Sequence, residues 1–156
     1  MNNPLAPYCL VYISQATHDF SDEELADLLA VSRRNNAATA ITGLLMYESR
    51  VFMQALEGPR ARVEALFERI RRDPRHTDVQ VICEDAIQAR YFGPWRMAFQ
   101  RATDRDLSPG EGFSSILENY RRGTLSTVDG RLVFAMLVLF KERLPLDAPD
   151  DSLLPP

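Results

Sequence analysis

Three side chains in this chain carry the types and placement that could do chemistry. Tyr12 lies inside the apolar run Tyr8-Cys9-Leu10-Val11-Tyr12-Ile13-Ser14, and Gln54 lies inside Val51-Phe52-Met53-Gln54-Ala55-Leu56-Glu57. Asn36 follows an amphipathic helical stretch. Each is polar where the local pattern asks for an apolar residue. A polar group in a core must find a hydrogen-bond partner, and leaving one unpaired costs roughly 1–3 kcal/mol. If the three converge, they form either a private network or the lining for a flat ligand with a polar edge. A phenol can release an electron and a proton together, and its ordinary pKa near 10 keeps it neutral beforehand. A carboxamide offers a donor and an acceptor side by side.

The elements that must position these groups can be read from periodicity. Residues 8–14 read as a strand, with Leu10, Tyr12 and Ser14 on one face and Cys9, Val11 and Ile13 on the other. Ser21-Asp22-Glu23-Glu24 is a capping box, with Phe20 and Leu25 at the staple positions, so a helix opens there. Leu25, Leu28, Leu29 and Ser32 form its inward stripe, and Asn35-Asn36 is expected to end it. Ile41 to Tyr47 and Val51 to Gly58 read as a hairpin around Glu48-Ser49-Arg50, with Phe52, Gln54 and Leu56 on one face. Gly58-Pro59 opens a second helix carrying Val63, Leu66, Phe67 and Ile70, and Pro74 stops it. A fourth strand is expected over Asp78 to Glu84, and a fifth over Arg90 to Gln100 with Trp95, Met97 and Phe99 on one face.

The order βαββαββ predicts an α+β, ferredoxin-like sandwich with both helices on one sheet face. The first and third strands become central neighbours, so Tyr12 and Gln54 stand side by side beneath the helices, with Asn36 above. The opposite face is also apolar and needs cover. Helices over Phe113 to Arg122 and Arg131 to Arg143 could supply it, the second being apolar nearly all round and so buried on more than one side. From Pro145 the chain reads as a disordered tail.

Composition narrows the function. Over 156 residues, 46% apolar and 26% charged content describes an ordinary soluble domain with a real core. A net charge of −4 argues against a nucleic-acid footprint. Arg33-Arg34 and the cluster Arg69, Arg71, Arg72 and Arg75 read first as solvated helix faces. The longest apolar run, Leu132 to Phe140, is far shorter than the about 20 residues a bilayer span requires, and the first residues do not resemble a signal peptide, so a cytoplasmic protein is expected. Cys9 and Cys83 read as reduced core residues. Glycine-rich phosphate loops, CxxC, HExxH and GxSxG are absent from the sequence. No metal site is expected. His18 reads as a surface residue, and His76 has only its place after Pro74-Arg75 to suggest a ligand contact.

Five segments together resemble one family. They are Leu10-Val11-Tyr12-Ile13-Ser14, the run from Arg34 through Asn35-Asn36 and Ile41-Thr42-Gly43 to Leu45, Val51 to Gly58, Asp73-Pro74-Arg75-His76, and Trp95-Arg96-Met97. In that order they resemble the BLUF family of blue-light sensors using flavin, over roughly residues 8–100. The resemblance implies a flavin, normally FAD with FMN possible, held noncovalently between the two helices. Tyr12 then resembles the redox tyrosine and Gln54 the glutamine between it and the flavin. Asn36 is similar to the residue at the ring's pyrimidine edge, with Asn35 and Ser32 beside it. Arg69 and Asp73 match positions at the ring edge and ribityl chain, and Arg75 and His76 match residues at the ring or chain. Trp95 and Met97 match the pair whose burial near Gln54 is linked to signalling.

The residues suit such a ligand on chemical grounds as well. Leu28, Leu66 and Ile70 supply aliphatic walls, while carboxamides and guanidinium groups supply the edge. The expected mechanism is non-enzymatic: Tyr12 gives up an electron and then a proton by way of Gln54, whose hydrogen bonds end rearranged. Output is expected through the fifth strand to the C-terminal helices and on to a protein interface, with another copy of the chain or an unidentified downstream partner. The expected organisation is a sensor domain over 1–103, a helical extension over 104–144 and a tail over 145–156. Two alternatives use the same scaffold. An acylphosphatase-like hydrolase would need a phosphate loop that Gln15-Ala16-Thr17-His18-Asp19-Phe20 does not resemble, and a flavin-free interaction module would have no use for Tyr12, Asn36 and Gln54 as a set.

Overall fold

The computed structural model describes residues 6–93, 95–101 and 113–125, with Ala135 as an isolated position. The strands are β1 (Tyr8–Ala16), β2 (Thr42–Glu48), β3 (Val51–Gly58), β4 (His76–Ala86) and β5 (Ala98–Arg101). The helices are α1 (Asp22–Thr39), α2 (Arg60–Arg72) and α3 (Phe113–Arg122). The sheet order is β4-β1-β3-β2-β5, antiparallel throughout except for the parallel pair β2–β5. This is the ferredoxin-like arrangement expected, with β1 and β3 at the centre.

The sequence specifies these elements locally. Ser21 Oγ accepts the Glu24 amide at 3.1 Å and the Glu24 carboxylate accepts the Ser21 amide at 3.4 Å, completing the capping box. The flanking Phe20 and Leu25 are both buried. The helix does not end at Asn35-Asn36. It continues through Ala37 and Ala38, strong helix formers, to a left-handed cap at Ala40 whose amide donates to the Asn36 carbonyl. Asn36 therefore sits on the last turn of α1 with helical geometry. The β2–β3 hairpin turns at Ser49 and Arg50, both with positive φ, as a tight two-residue turn requires.

Two apolar layers flank the sheet. Leu10, Tyr12, Phe52 and Leu56 face α1 and α2, where Leu25, Leu29, Val63 and Phe67 close the core. Cys9, Val11, Ile13, Val51, Met53 and Ala55 face the other way, as the alternation predicts. Tyr120 of α3 belongs to that second core, and its hydroxyl donates to the Asp78 carbonyl at 2.5 Å. The expected helix over 131–143 and the tail from 145 lie outside the described residues.

Two strands differ from expectation. β4 is longer than Asp78 to Glu84, and its register on β1 shifts between Val11 and Tyr12 and again between Ile13 and Gln15. Such bulges break strict alternation, which leaves Val81 exposed while Ile82 and Cys83 pack inward together. β5 starts only at Ala98 rather than Arg90. Upstream of it the chain is not laddered. Trp95 drops into the far core, and Met97 and Phe99 point to the helix side, so the three do not share a face.

Gly43 lets β2 lie close against β3 while it also bonds the chain ahead of β5. Its amide donates to the Trp95 carbonyl at 3.2 Å, and a Cβ there would stand 2.0 Å from the Ala55 carbonyl oxygen and 3.2 Å from Met97 Cε. We expect Gly43→Ala to destabilise the domain by roughly 2–3 kcal/mol through forced displacement of β2 from β3. Urea unfolding of the variant against the parent measures this.

Candidate functional site

β1 and β3 pair with Tyr12 directly opposite Gln54. The two side chains rise side by side into the space between α1 and α2, and the Tyr12 hydroxyl donates a hydrogen bond to Gln54 Oε1. Tyr12 is 1% exposed. Burial, followed by the negative charge of Asp73, pushes its phenol well above the ordinary value, so it is firmly neutral. Its ring packs on Phe67 at 5.6 Å between centroids and on the edge of His76 at 6.1 Å.

With its oxygen committed to Tyr12, the Gln54 carboxamide directs Nε2 to Met97 Sδ at 3.3 Å. A thioether is a weak acceptor. The amide has two N–H bonds, so one remains for a stronger acceptor in the cavity. Asn36 behaves similarly: its Nδ2 donates to the Arg96 carbonyl at 2.7 Å, leaving the side-chain oxygen for another donor.

The cavity over these groups measures about 170 Å³. α1 contributes Leu28, Ser32, Asn35 and Asn36 to its lining, and α2 contributes Leu66, Arg69 and Ile70. The sheet contributes Tyr12 and Gln54, and the turn after α2 contributes Asp73, Arg75 and His76. Every residue expected at a cofactor thus lines one space. Val31, Leu45 and Phe52, not singled out from the sequence, line it too. Trp95 and Met97 do not line the cavity. Met97 touches Gln54, whereas Trp95 is on the other side of the sheet, against the expectation that the two share a face. The Trp95 indole N–H has no partner among the described residues.

Charge is arranged at one end of this space. The Asp73 carboxylate takes a fork from Arg75, with Nη2 at 2.6 Å and Nε at 3.0 Å, and also accepts the Arg75 amide at 2.9 Å. The guanidinium holds that carboxyl below the ordinary range. Arg69 is exposed on α2 and makes no ion pair among the described residues. His76 Nδ1 meets Ser14 Oγ at 2.7 Å, and burial lowers its pKa to about 4, so the ring is neutral near pH 7. His18 is taken up elsewhere, pairing with Glu24 at 2.6 Å and stacking on Phe20 at 4.4 Å. No cluster of potential metal ligands occurs among the described residues, and none of their helices is long and apolar enough to cross a membrane.

Three buried polar residues near this site escaped the sequence reading. Ser14 is the His76 partner. Arg33, 6% exposed, donates from Nε to the Met97 carbonyl at 2.9 Å. Glu57 is fully buried at the end of β3. Glu57 did leave a signal, because it follows Val51, Met53 and Ala55 on an apolar face, the same kind of break that marks Gln54. Arg33 left none, since an arginine on a helix is ordinarily solvated.

The profile of the BLUF family, described as sensors of blue-light using FAD, matches residues 8–98. The chain belongs to this family of flavin-binding blue-light sensors. It is 42% identical over 117 residues to the alpha subunit of photoactivated adenylate cyclase from Euglena gracilis, covering 75% of this chain and 11% of that protein. The corresponding beta subunit is 36% identical over 117 residues, 75% of this chain and 14% of that protein. The blue light- and temperature-regulated antirepressor BluF of Escherichia coli K12 is 31% identical over 84 residues, 54% of this chain and 21% of that protein. Among solved structures, BlrB in its dark state superposes with a TM-score of 0.69 at 25% identity, covering 88% of this chain and 99% of the other. The ground state of BlsA gives a TM-score of 0.69 at 25% identity, covering 85% and 88%. The chain thus spans only a small part of the cyclase relatives.

The neutral His76 gives a stability signature. Its folded pKa of about 4 lies below the ordinary 6.5, so the unfolded chain takes up the proton first as pH falls. The associated stability is fully present above pH 6.5 and is lost as pH drops toward 4. We expect the parent to lose about 2 kcal/mol more than His76→Gln across that window. Urea titrations of both proteins at pH 7 and pH 4.5 give the difference.

Proposed function

We propose that this chain is a blue-light photoreceptor in which the cavity between α1 and α2 holds the ring of FAD. The observation that carries the proposal is the buried Tyr12–Gln54 hydrogen bond at the cavity floor, with Gln54 retaining an N–H for the ligand. The donor set suits a flavin: aliphatic faces from Leu28, Leu66 and Ile70, and a polar rim from Asn35, Asn36 and Gln54. Ser32, Arg69, Asp73, Arg75 and His76 complete the cavity's polar side toward the ribityl chain. At about 170 Å³ the cavity is below the roughly 300–1,000 Å³ typical for a whole drug-sized ligand, so it grips the ring and leaves the tail outside. FMN would therefore meet the same ring contacts.

When bound, the flavin supplies blue-light absorption and an excited state able to take up an electron and a proton. The protein residues do the rest. Tyr12, neutral and enclosed, releases the electron, and its proton leaves along the hydrogen bond to Gln54 Oε1. Gln54 relays that proton, and the electron and a proton then return to Tyr12, restoring the phenol and leaving Gln54 in a changed tautomer or orientation. Its bonds to Tyr12, to Met97 and to the ligand are then rearranged, which shifts the absorption to the red until the dark state returns. His76 and Arg75 line the cavity beside Tyr12.

Light acts on output only through the relative stability of two packings. Met97 senses Gln54, and Trp95, two residues earlier, occupies the core that Tyr120 of α3 shares. That connection favours output through β5 to the helical extension over 104–144, and from there to an interface with another copy or a downstream protein. The sensor domain itself spans 1–103, and a cytoplasmic setting fits the reduced cysteines.

Tyr12→Phe is the decisive variant. It should purify yellow, with dark absorption close to the parent, and lose the reversible red shift under blue light. An ordinary red shift in Tyr12→Phe would refute the scheme, and a parent protein that purifies colourless would remove the flavin assignment.

A further inference from the structure

Glu57 lies three residues beyond Gln54 on β3, on the opposite face of the sheet, and is fully buried. Its Oε2 accepts the Tyr91 amide at 2.6 Å, and its Oε1 accepts the Phe92 amide at 2.8 Å and the Thr42 hydroxyl at 3.1 Å. Arg90 Nη1 donates to Thr42 Oγ1 at 2.9 Å and to the Glu57 main-chain carbonyl at 3.4 Å. Burial raises the carboxyl pKa on balance, and the two amides, Thr42 and Arg90 offset only part of that rise. Both carboxyl oxygens are thus occupied by successive amides of a connection that is not laddered into the sheet.

That connection delivers Trp95 and Met97. Its far end is tied down separately: Gly43 donates to the Trp95 carbonyl, Asn36 to the Arg96 carbonyl and Arg33 to the Met97 carbonyl. Met97 Sδ then meets Gln54 Nε2. The two ends are also bonded to each other, because the Trp95 amide donates to the carbonyl of Phe92 at 3.0 Å. The Glu57 carboxylate touches nothing in the cavity, yet it fixes the near end of the segment that contacts the photoactive amide.

We propose that Glu57 is a positioning residue of the photocycle: its buried carboxylate sets where Met97 meets Gln54 in the dark, and so how fast the lit form returns. This rests on the light-sensing reading above. It names a control over that reading's kinetics that lies on the side of the sheet away from the cavity.

The test uses the flavin-loaded full chain as parent, Glu57→Gln, Met97→Ala and the double variant. Trp95 is the chain's one tryptophan, so its fluorescence reports this segment alone. Glu57→Gln should keep the red shift, change the dark-recovery rate by about threefold or more, and alter Trp95 emission in the dark. The rate effect should vanish in the Met97→Ala background, because Glu57 acts through Met97. An unchanged rate, an unchanged Trp95 emission, or an equal rate effect in both backgrounds overturns the proposal. Should Glu57→Gln fail to fold, Thr42→Val removes one partner of the carboxylate and is judged by the same three readouts. A parent without any red shift refutes the light-sensing reading instead, and the dark Trp95 emission of the Glu57 variant still decides whether the anchor exists.

Discussion

The structure depends on one hydrogen bond between two side chains that would each be a liability alone. A buried phenol or carboxamide without a partner costs roughly 1–3 kcal/mol, while the satisfied pair contributes modestly. The pairing of β1 with β3 makes the bond possible, because it places Tyr12 opposite Gln54 on the helix-covered face. A slip of one residue would turn either side chain into the other core. Apolar neighbours on both strands, Leu10 and Phe52 on one face and Val11 and Met53 on the other, hold the register. Specifying the Tyr12–Gln54 pair and specifying the sheet are therefore the same problem.

The helices add what the strands cannot. Phe67 of α2 packs against the Tyr12 ring, and the enclosure it helps provide keeps the phenol neutral. α1 serves two surfaces at once. Asn36 lines the cavity with one side of its carboxamide and holds the Arg96 carbonyl with the other, while Arg33, nearly a turn earlier, holds the Met97 carbonyl. The groups that would grip a ligand's edge are in this way attached to the segment that touches Gln54.

Much of this was legible in the sequence because it is encoded locally. Alternation in residues 8–14 and 51–57 assigned both faces, and the capping box at Ser21 and the apolar spacing from Val63 to Ile70 located the helices. The breaks in alternation at Tyr12 and Gln54 marked the site. What escaped was encoded over distance. Asn36 looked like a helix end because asparagine tolerates left-handed geometry, but Ala37 and Ala38 carry the helix onward to Ala40. Trp95, Met97 and Phe99 looked like one face of a strand. Only contacts from Gly43, Arg33 and Asn36 show that the chain there is held by side chains and by a glycine rather than by a ladder. The β4 bulges and the burial of Glu57 are likewise settled by partners far away in sequence.

That unladdered stretch has a mechanical consequence. Two residues apart, Trp95 is wedged in the layer beneath the sheet and Met97 in the layer above it. The backbone joining them passes around the β2 margin like a rocker on an edge. Tilting it moves both arms together, so an event above the strands can be registered below them while the central strands keep their shape.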